Sequence, residues 1–95
     1  MFEIVFSKKA NETFDLIQLQ LLERWGVTTV IKFEQRTISV LAAITQSPFI
    51  YQAIEIDPEV RKAVIHGNCS LFYRVSGQKI VILFFWDNRQ DPIFI

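Results

Sequence analysis

Arg61, Arg74 and Arg89 are the residues best placed to do chemistry, because each falls in or just beyond a segment whose apolar pattern predicts a β-strand. Planar guanidinium groups on adjacent strands of a small sheet could grip phosphates or carboxylates through bidentate contacts that lysine does not reproduce. Arg74 sits mid-segment between Tyr73 and Val75, where a guanidinium must reach water, a carboxylate or a ligand. Arg61 stands near the start of an earlier segment and is followed by Lys62, while Arg89 lies in the run FFWDNRQDP, Phe84 to Pro92. These basic residues form the candidate set for an anionic target. The alternative is a salt-bridge network with Glu55, Asp57, Glu59, Asp87 and Asp91.

Other reactive patterns are sparse. The glycines, Gly26, Gly67 and Gly77, stand too far apart for a phosphate-cradling loop, and a lone His66 with a lone Cys69 does not make a metal site. His66 reads as a hairpin-loop residue rather than a base. Cys69 begins a strand and reads as a small buried hydrophobe, since a nucleophilic thiolate would need a cation or helix terminus beside it. Asp57 and Glu59 flank a proline on a solvated loop, and Asp87 and Asp91 flank the end of the last strand; solvation explains both pairs. No cofactor and no metal are expected.

Positioning such side chains falls to one domain, residues 1–95, with 51% hydrophobic residues and nine Phe for a single core. Acids and bases cancel to a net charge of zero, so whole-molecule attraction to nucleic acid or membrane has no support. Charge is uneven, however: Val60 to Trp86 holds Arg61, Lys62, Arg74 and Lys79 with no acid, a local charge of +4. A single cysteine excludes an intrachain disulfide and fits a reducing, cytoplasmic setting. The opening MFEIVFSKKA is too short in its apolar run for a signal peptide, and no stretch reaches the ~18 apolar residues of a membrane span.

Phe2, Ile4 and Phe6 alternate as a short strand, and Ser7 can cap a helix running from about Lys8 or Asn11 to Trp25. Its stripe is Ala10, Phe14, Ile17, Leu21 and Trp25, widened by Leu16, Leu19 and Leu22, and Gly26 is the natural stop. Thr28 or Thr29 can cap a second helix carrying Phe33, Thr37, Val40, Leu41 and Ile44, with Ile31, Ile38 and Ala42 nearby; Ser47 and Pro48 end it. A joint of about three residues forces the helices into an antiparallel hairpin.

After an irregular stretch from Pro48 to Pro58 the period becomes two. Val60 to Ile65, Cys69 to Val75 and Lys79 to Trp86 read as strands joined by tight turns at His66, Gly67 and Asn68, with Gly67 free to take a positive φ, and at Ser76 to Gln78. The expected fold class is therefore α+β: an N-terminal strand, then an antiparallel two-helix hairpin packed on a C-terminal three-stranded antiparallel meander, in the order β-α-α-β-β-β. In the last strand Ile80, Ile82, Phe84 and Trp86 alternate with Val81, Leu83 and Phe85, so both faces are apolar while the helices can cover one. An open face or a bound partner should account for the other.

In that order of elements the chain resembles the RelE/ParE superfamily, toxins of type II toxin-antitoxin modules also called plasmid stabilisation proteins. FSKKANETFDLIQLQLLERWG is similar to that family's opening strand and first helix, and Ala43, Ile44 and Pro48 to the end of its second helix. In VRKAVIHGNCSLFYRVSGQKIVILFFWDNRQDP, Val60, Arg61 and Lys62 resemble its valine, arginine and basic residue. Tyr73, Arg74 and Val75 resemble its tyrosine-centred strand, and Asp87, Arg89, Gln90 and Pro92 its closing motif.

The resemblance implies a β-α-α-β-β-β growth-inhibiting toxin neutralised by a cognate antitoxin from an adjacent gene, in a hetero-oligomer, with DNA gyrase or the ribosome as target. Arg61, Lys62, Arg74 and Arg89 would be its target-binding residues, and Arg61, Arg74 and Arg89 its phosphate-stabilising residues if it were a ribosome-dependent endoribonuclease. Leu16, Leu19, Leu22, Ile80, Ile82, Phe84, Phe85 and Trp86 would then be the surface that the antitoxin hides. Ile93, Phe94 and Ile95 close the chain with no Tyr, His, Lys or Arg after Arg89, so the ParE-like branch, which poisons gyrase and is not a nuclease, fits better than the messenger-cutting one. The remaining alternative is a relative that binds an antitoxin but is not toxic.

Overall fold

The computed structural model describes residues 2–89, so Gln90, Asp91, Pro92 and the closing Ile93, Phe94 and Ile95 lie outside the described residues. The elements are β1 (Glu3–Phe6), α1 (Lys8–Trp25), α2 (Val27–Gln46), β2 (Ala53–Ile54), β3 (Asp57–His66), β4 (Cys69–Ser76) and β5 (Lys79–Asp87). The α+β class and the order strand, helix hairpin, meander are those expected. The sheet is larger and mixed: five strands in the order β1-β5-β4-β3-β2, with β1 parallel to β5 and the other pairs antiparallel. The parallel pair follows from the helix hairpin, which acts as a crossover and returns the chain to the far side of the meander.

Ser7 starts α1 as expected. Its hydroxyl accepts from the Ala10 N–H (2.9 Å) and donates to the Leu83 carbonyl (2.7 Å), fastening the helix start to β5. Thr13, nearly two turns on, accepts from the Phe85 N–H (2.9 Å). β1 pairs only with residues 79–82 of β5, so these two side chains satisfy the strand edge where β1 has ended.

The helices meet at Gly26 alone, a tighter joint than three residues. Its φ of 92° is a conformation that side-chain-bearing residues rarely adopt, and its N–H closes α1 on the carbonyls of Leu21 and Leu22 while α2 begins at Val27. No threonine caps α2. The β3–β4 turn is also shorter than expected, since His66 is still in β3 and pairs with Cys69, and Gly67 does not have a positive φ.

The core lies between the hairpin and the sheet. Phe14 of α1 stacks on Phe33 of α2 (centroids 5.2 Å) and meets Phe85 of β5 edge-on (5.0 Å), joining all three elements. Ala10, Ile17, Val40, Ile44, Ala63, Ile65, Cys69, Leu71, Tyr73, Ile80 and Ile82 complete the buried cluster. Alternation along β5 breaks at Leu83: Phe72 pairs with Phe84, but Tyr73 pairs with Ile82, so one extra residue bulges out of β5. Beyond the bulge the faces exchange. Phe85 turns to the helices while Phe84 stacks on Phe72 (4.8 Å) on the opposite side, with the Lys9 ammonium of α1 5.9 Å from the centre of the Phe84 ring.

Ile80, Ile82 and Phe85 are at most 1% exposed, so they belong to the core and offer no area to an antitoxin. Phe84 and Trp86 are half-buried, and Leu16, Leu19 and Leu22 are exposed. Among the described residues no helix is long and apolar enough to cross a membrane.

A cationic cleft at one end of the sheet

The basic residues singled out in the sequence do not meet. Arg61 pairs in register with Tyr73, on the helix side, and its guanidinium donates to the Tyr51 carbonyl (2.6 Å) while lying 4.9 Å from the centre of the Phe49 ring. It ties down the segment between α2 and β2, as does the Tyr73 hydroxyl, which donates to the Pro48 carbonyl (2.7 Å). Burial raises the Tyr73 pKa. Arg74 is exposed and alternates to the opposite face, which it shares with Lys62; the Lys62 ammonium lies 6.0 Å from the centre of the Phe72 ring. Arg89 stands at the other end of the sheet. It follows Asp87, which pairs with Cys69, and Cys69 is about 13 Å along β4 from the level of Arg61.

Arg89 is held by its neighbour. Its Nε and Nη2 donate to both Asp87 oxygens (Nη2 to Oδ2, 2.7 Å), and its backbone N–H adds a bond to Oδ1 (2.9 Å). That hydrogen bonding holds the Asp87 carboxyl below the usual carboxylate range, against the opposing effect of burial, and raises the Arg89 pKa. Asn88 is turned the other way and donates from Nδ2 to the Ser70 hydroxyl (2.9 Å).

Beside this ion pair a cleft of about 360 Å³ opens between the helix hairpin and the ends of β3, β4 and β5. α1 contributes Ile17, Leu21 and Trp25, and α2 contributes Lys32, Phe33 and Arg36. The sheet supplies His66, Cys69, Asp87 and Arg89. Lys32 and Arg36 are one helical turn apart, so they project together on the flank of α2 next to core Phe33. Neither forms an ion pair among the described residues, whereas Asp87 is already neutralised by Arg89. Burial, reinforced by the Asp87 charge, pushes the Cys69 thiol up to about 12, which keeps it protonated and unreactive at neutral pH. The cleft is therefore an apolar-floored, cationic recess with an exposed indole at its rim. A second groove, of about 520 Å³, also borders Asp87 and Arg89 and carries Gln20, Glu23 and Arg24.

Cations sought on strands alone do not include Lys32 and Arg36 of α2, and the helical period places Trp25 in the buried stripe, whereas it is 60% exposed at the cleft rim. The lysine-arginine pair at i,i+4 was a visible signal. Its convergence with Arg89 was not, because that depends on packing between distant segments.

An α+β fold with a helix hairpin on one face of a mixed five-stranded sheet defines the class of small domain. The chain matches the family described as the ParE toxin of type II toxin-antitoxin systems, parDE, over residues 4–92, and belongs to it. Its fold is similar to a chain of the chromosomal ParDE system from P. aeruginosa (TM-score 0.77, 21% identity, covering 92% of this chain and 96% of that one). It is also similar to the YoeB/ParE toxin from Agrobacterium tumefaciens (TM-score 0.67, 13% identity, 90% of this chain and 98% of that one). A chain of the YoeB-YefM complex from Staphylococcus aureus is a further likeness (TM-score 0.64, 15% identity, 90% and 95%). A comparison with curated protein sequences returned no match.

Proposed function

We propose that this chain, as a toxin of a type II module, inhibits bacterial growth by binding DNA gyrase in the cytoplasm and is neutralised by a cognate antitoxin encoded beside it. The observation that carries the reading is the match to the ParE toxin family over residues 4–92. Two features of the chain favour binding over messenger cleavage. Arg61, Arg74 and Arg89 are spread over opposite faces and ends of the sheet, so they do not surround one scissile phosphate. Residues 90–95 include no Tyr, His, Lys or Arg to assist a 2'-hydroxyl attack.

The target-contacting residues in this reading are Arg74 and Lys62 on the open face and Arg89 at its end; Arg61 acts by holding the segment between α2 and β2. The antitoxin covers Leu16, Leu19 and Leu22 on α1, with Phe84 and Trp86 as further candidates on the open face. Complexes among the structural neighbours, such as that of YoeB with YefM, are consistent with such a partner.

Purified gyrase assayed for supercoiling with and without the chain tests the proposal. Inhibition at micromolar protein is expected, abolished by an equimolar antitoxin. Unaffected supercoiling together with new messenger cuts on translating ribosomes would replace it with the endoribonuclease reading. Unaffected supercoiling with unchanged growth on induction of the chain alone would replace it with a non-toxic antitoxin binder.

A further inference from the structure

We infer that the cleft between α2 and the end of the sheet is a binding site for a nucleotide, in which Lys32 and Arg36 hold a phosphate and Trp25 stacks on the base. The site goes beyond the gyrase reading and does not depend on it.

The charge of the recess points to an anion. Lys32, Arg36 and Arg89 face one carboxylate, Asp87, which leaves two positive charges without an internal partner. Folding has placed Lys32 and Arg36 beside apolar Ile17, Leu21 and Phe33 instead of beside the acids of α1. Lys32 and Arg36 are exposed at the edge of the recess, so an incoming anion reaches both without displacing an internal partner among the described residues. Its diffuse, doubly ionisable charge makes a phosphate monoester the natural match for an ammonium and a guanidinium one turn apart.

The rim adds the second half of the ligand. Trp25 is 60% exposed at the last position of α1, held at the cleft mouth because Gly26 turns the chain directly into α2. An exposed indole beside a phosphate subsite is the arrangement by which single nucleotides and unpaired strands are gripped: stacking is tolerant of base identity, and cations take the backbone. The volume of about 360 Å³ lies near the lower end of the roughly 300–1,000 Å³ typical of small-ligand sites. A peptide fits less well. Strand addition needs a free sheet edge, but β4 is interior to the sheet and the Asn88 N–H at the cleft end already donates to the Asn68 carbonyl.

Arg89 has a conditional role. Its guanidinium is engaged by Asp87, so a phosphate entering the cleft meets Lys32 and Arg36 first.

The test is a calorimetric titration of the full chain at low salt with inorganic phosphate, adenosine monophosphate and a short single-stranded oligonucleotide, with Trp fluorescence as a parallel readout. Adenosine monophosphate should bind more tightly than phosphate, and Lys32→Ala and Arg36→Ala should each weaken it about tenfold. Trp25→Leu should reduce nucleotide affinity to that of phosphate. Lys79→Ala, an exposed cation at the opposite end of β5, should change nothing, which controls for general charge. Equal affinity for the mononucleotide and the oligonucleotide would assign a free nucleotide as the occupant, and binding of the oligonucleotide alone would assign a strand. No binding of any probe, or binding untouched in a folded Lys32→Ala/Arg36→Ala chain, would overturn the site. Because gyrase is absent from every arm, failure here leaves the supercoiling result to stand by itself.

Discussion

Asp87 and Arg89 are two residues apart, yet they form the densest polar contact in the described chain, with three guanidinium bonds and one backbone bond converging on a single carboxylate. The side chain of Asp87 is only 10% exposed, so its charge is tolerated because Arg89 answers it. The linkage to pH follows from the direction of the shift. A carboxyl whose folded pKa lies below the ordinary value, here 3.8, stabilises the fold fully above that value and loses the contribution as pH falls through the lowered one. Asp87→Asn should therefore be clearly less stable than the parent at pH 7, and the gap should narrow only below about pH 4. Urea melts at a series of pH values would show this; a gap that stayed constant down to pH 2 would mean that packing, not charge, holds the turn. Cys69 next to this pair illustrates the opposite case, a group that burial keeps neutral.

Among the elements, Ser7 illustrates how one side chain serves two ends. It caps α1 through the Ala10 N–H and also donates to the Leu83 carbonyl, on the stretch of β5 that β1 leaves unpaired. Ser7→Ala should cost about 2 kcal/mol, combining a lost cap with an unsatisfied carbonyl. Ser7→Asp should recover only the cap, since a carboxylate cannot donate, and so fall between the two in denaturant midpoint. An Asp variant as stable as the parent would show that the bond to β5 contributes nothing. The cap itself was legible, as were Gly26 as the helix stop and the period-two segments of the meander, because each is written in neighbouring residues. The bulge at Leu83 was not. Two-residue alternation places Phe84 with Ile82 and Phe85 on the other side, and only the mismatch between the Phe72–Phe84 and Tyr73–Ile82 pairs reveals that the faces exchange. The cationic cleft was hidden for a related reason: Lys32, Arg36 and Arg89 are assembled by the crossover of the hairpin, a relation between elements that local spacing does not encode.

At the scale of the whole molecule, the chain has more apolar surface than its single core can absorb. The helix hairpin buries one face on the sheet and leaves Leu16, Leu19 and Leu22 at 52, 53 and 45% exposure, with Ile31 and Ile38 of α2 at 47 and 66%. On α1 these leucines recur every third residue, and they fall away from the core stripe of Ala10, Ile17 and Leu21, so they form an outward ridge and not scattered exceptions. A small domain with such a ridge should self-associate when isolated and become monodisperse when a partner covers it. Replacing Leu16→Lys and Leu19→Lys tests this without weakening the helix, because Glu12 and Asp15 stand one turn before them and would form favourable i,i+4 pairs. Light scattering should find the parent chain associating as its concentration rises and the double variant staying monomeric, while affinity for a cognate antitoxin falls at least tenfold if that partner uses the ridge. A parent chain that stays monomeric at high concentration would show that the ridge drives no association. A double variant that is monodisperse yet still binds antitoxin fully would instead separate the two roles, moving the antitoxin contact to Phe84 and Trp86 on the open face of the sheet.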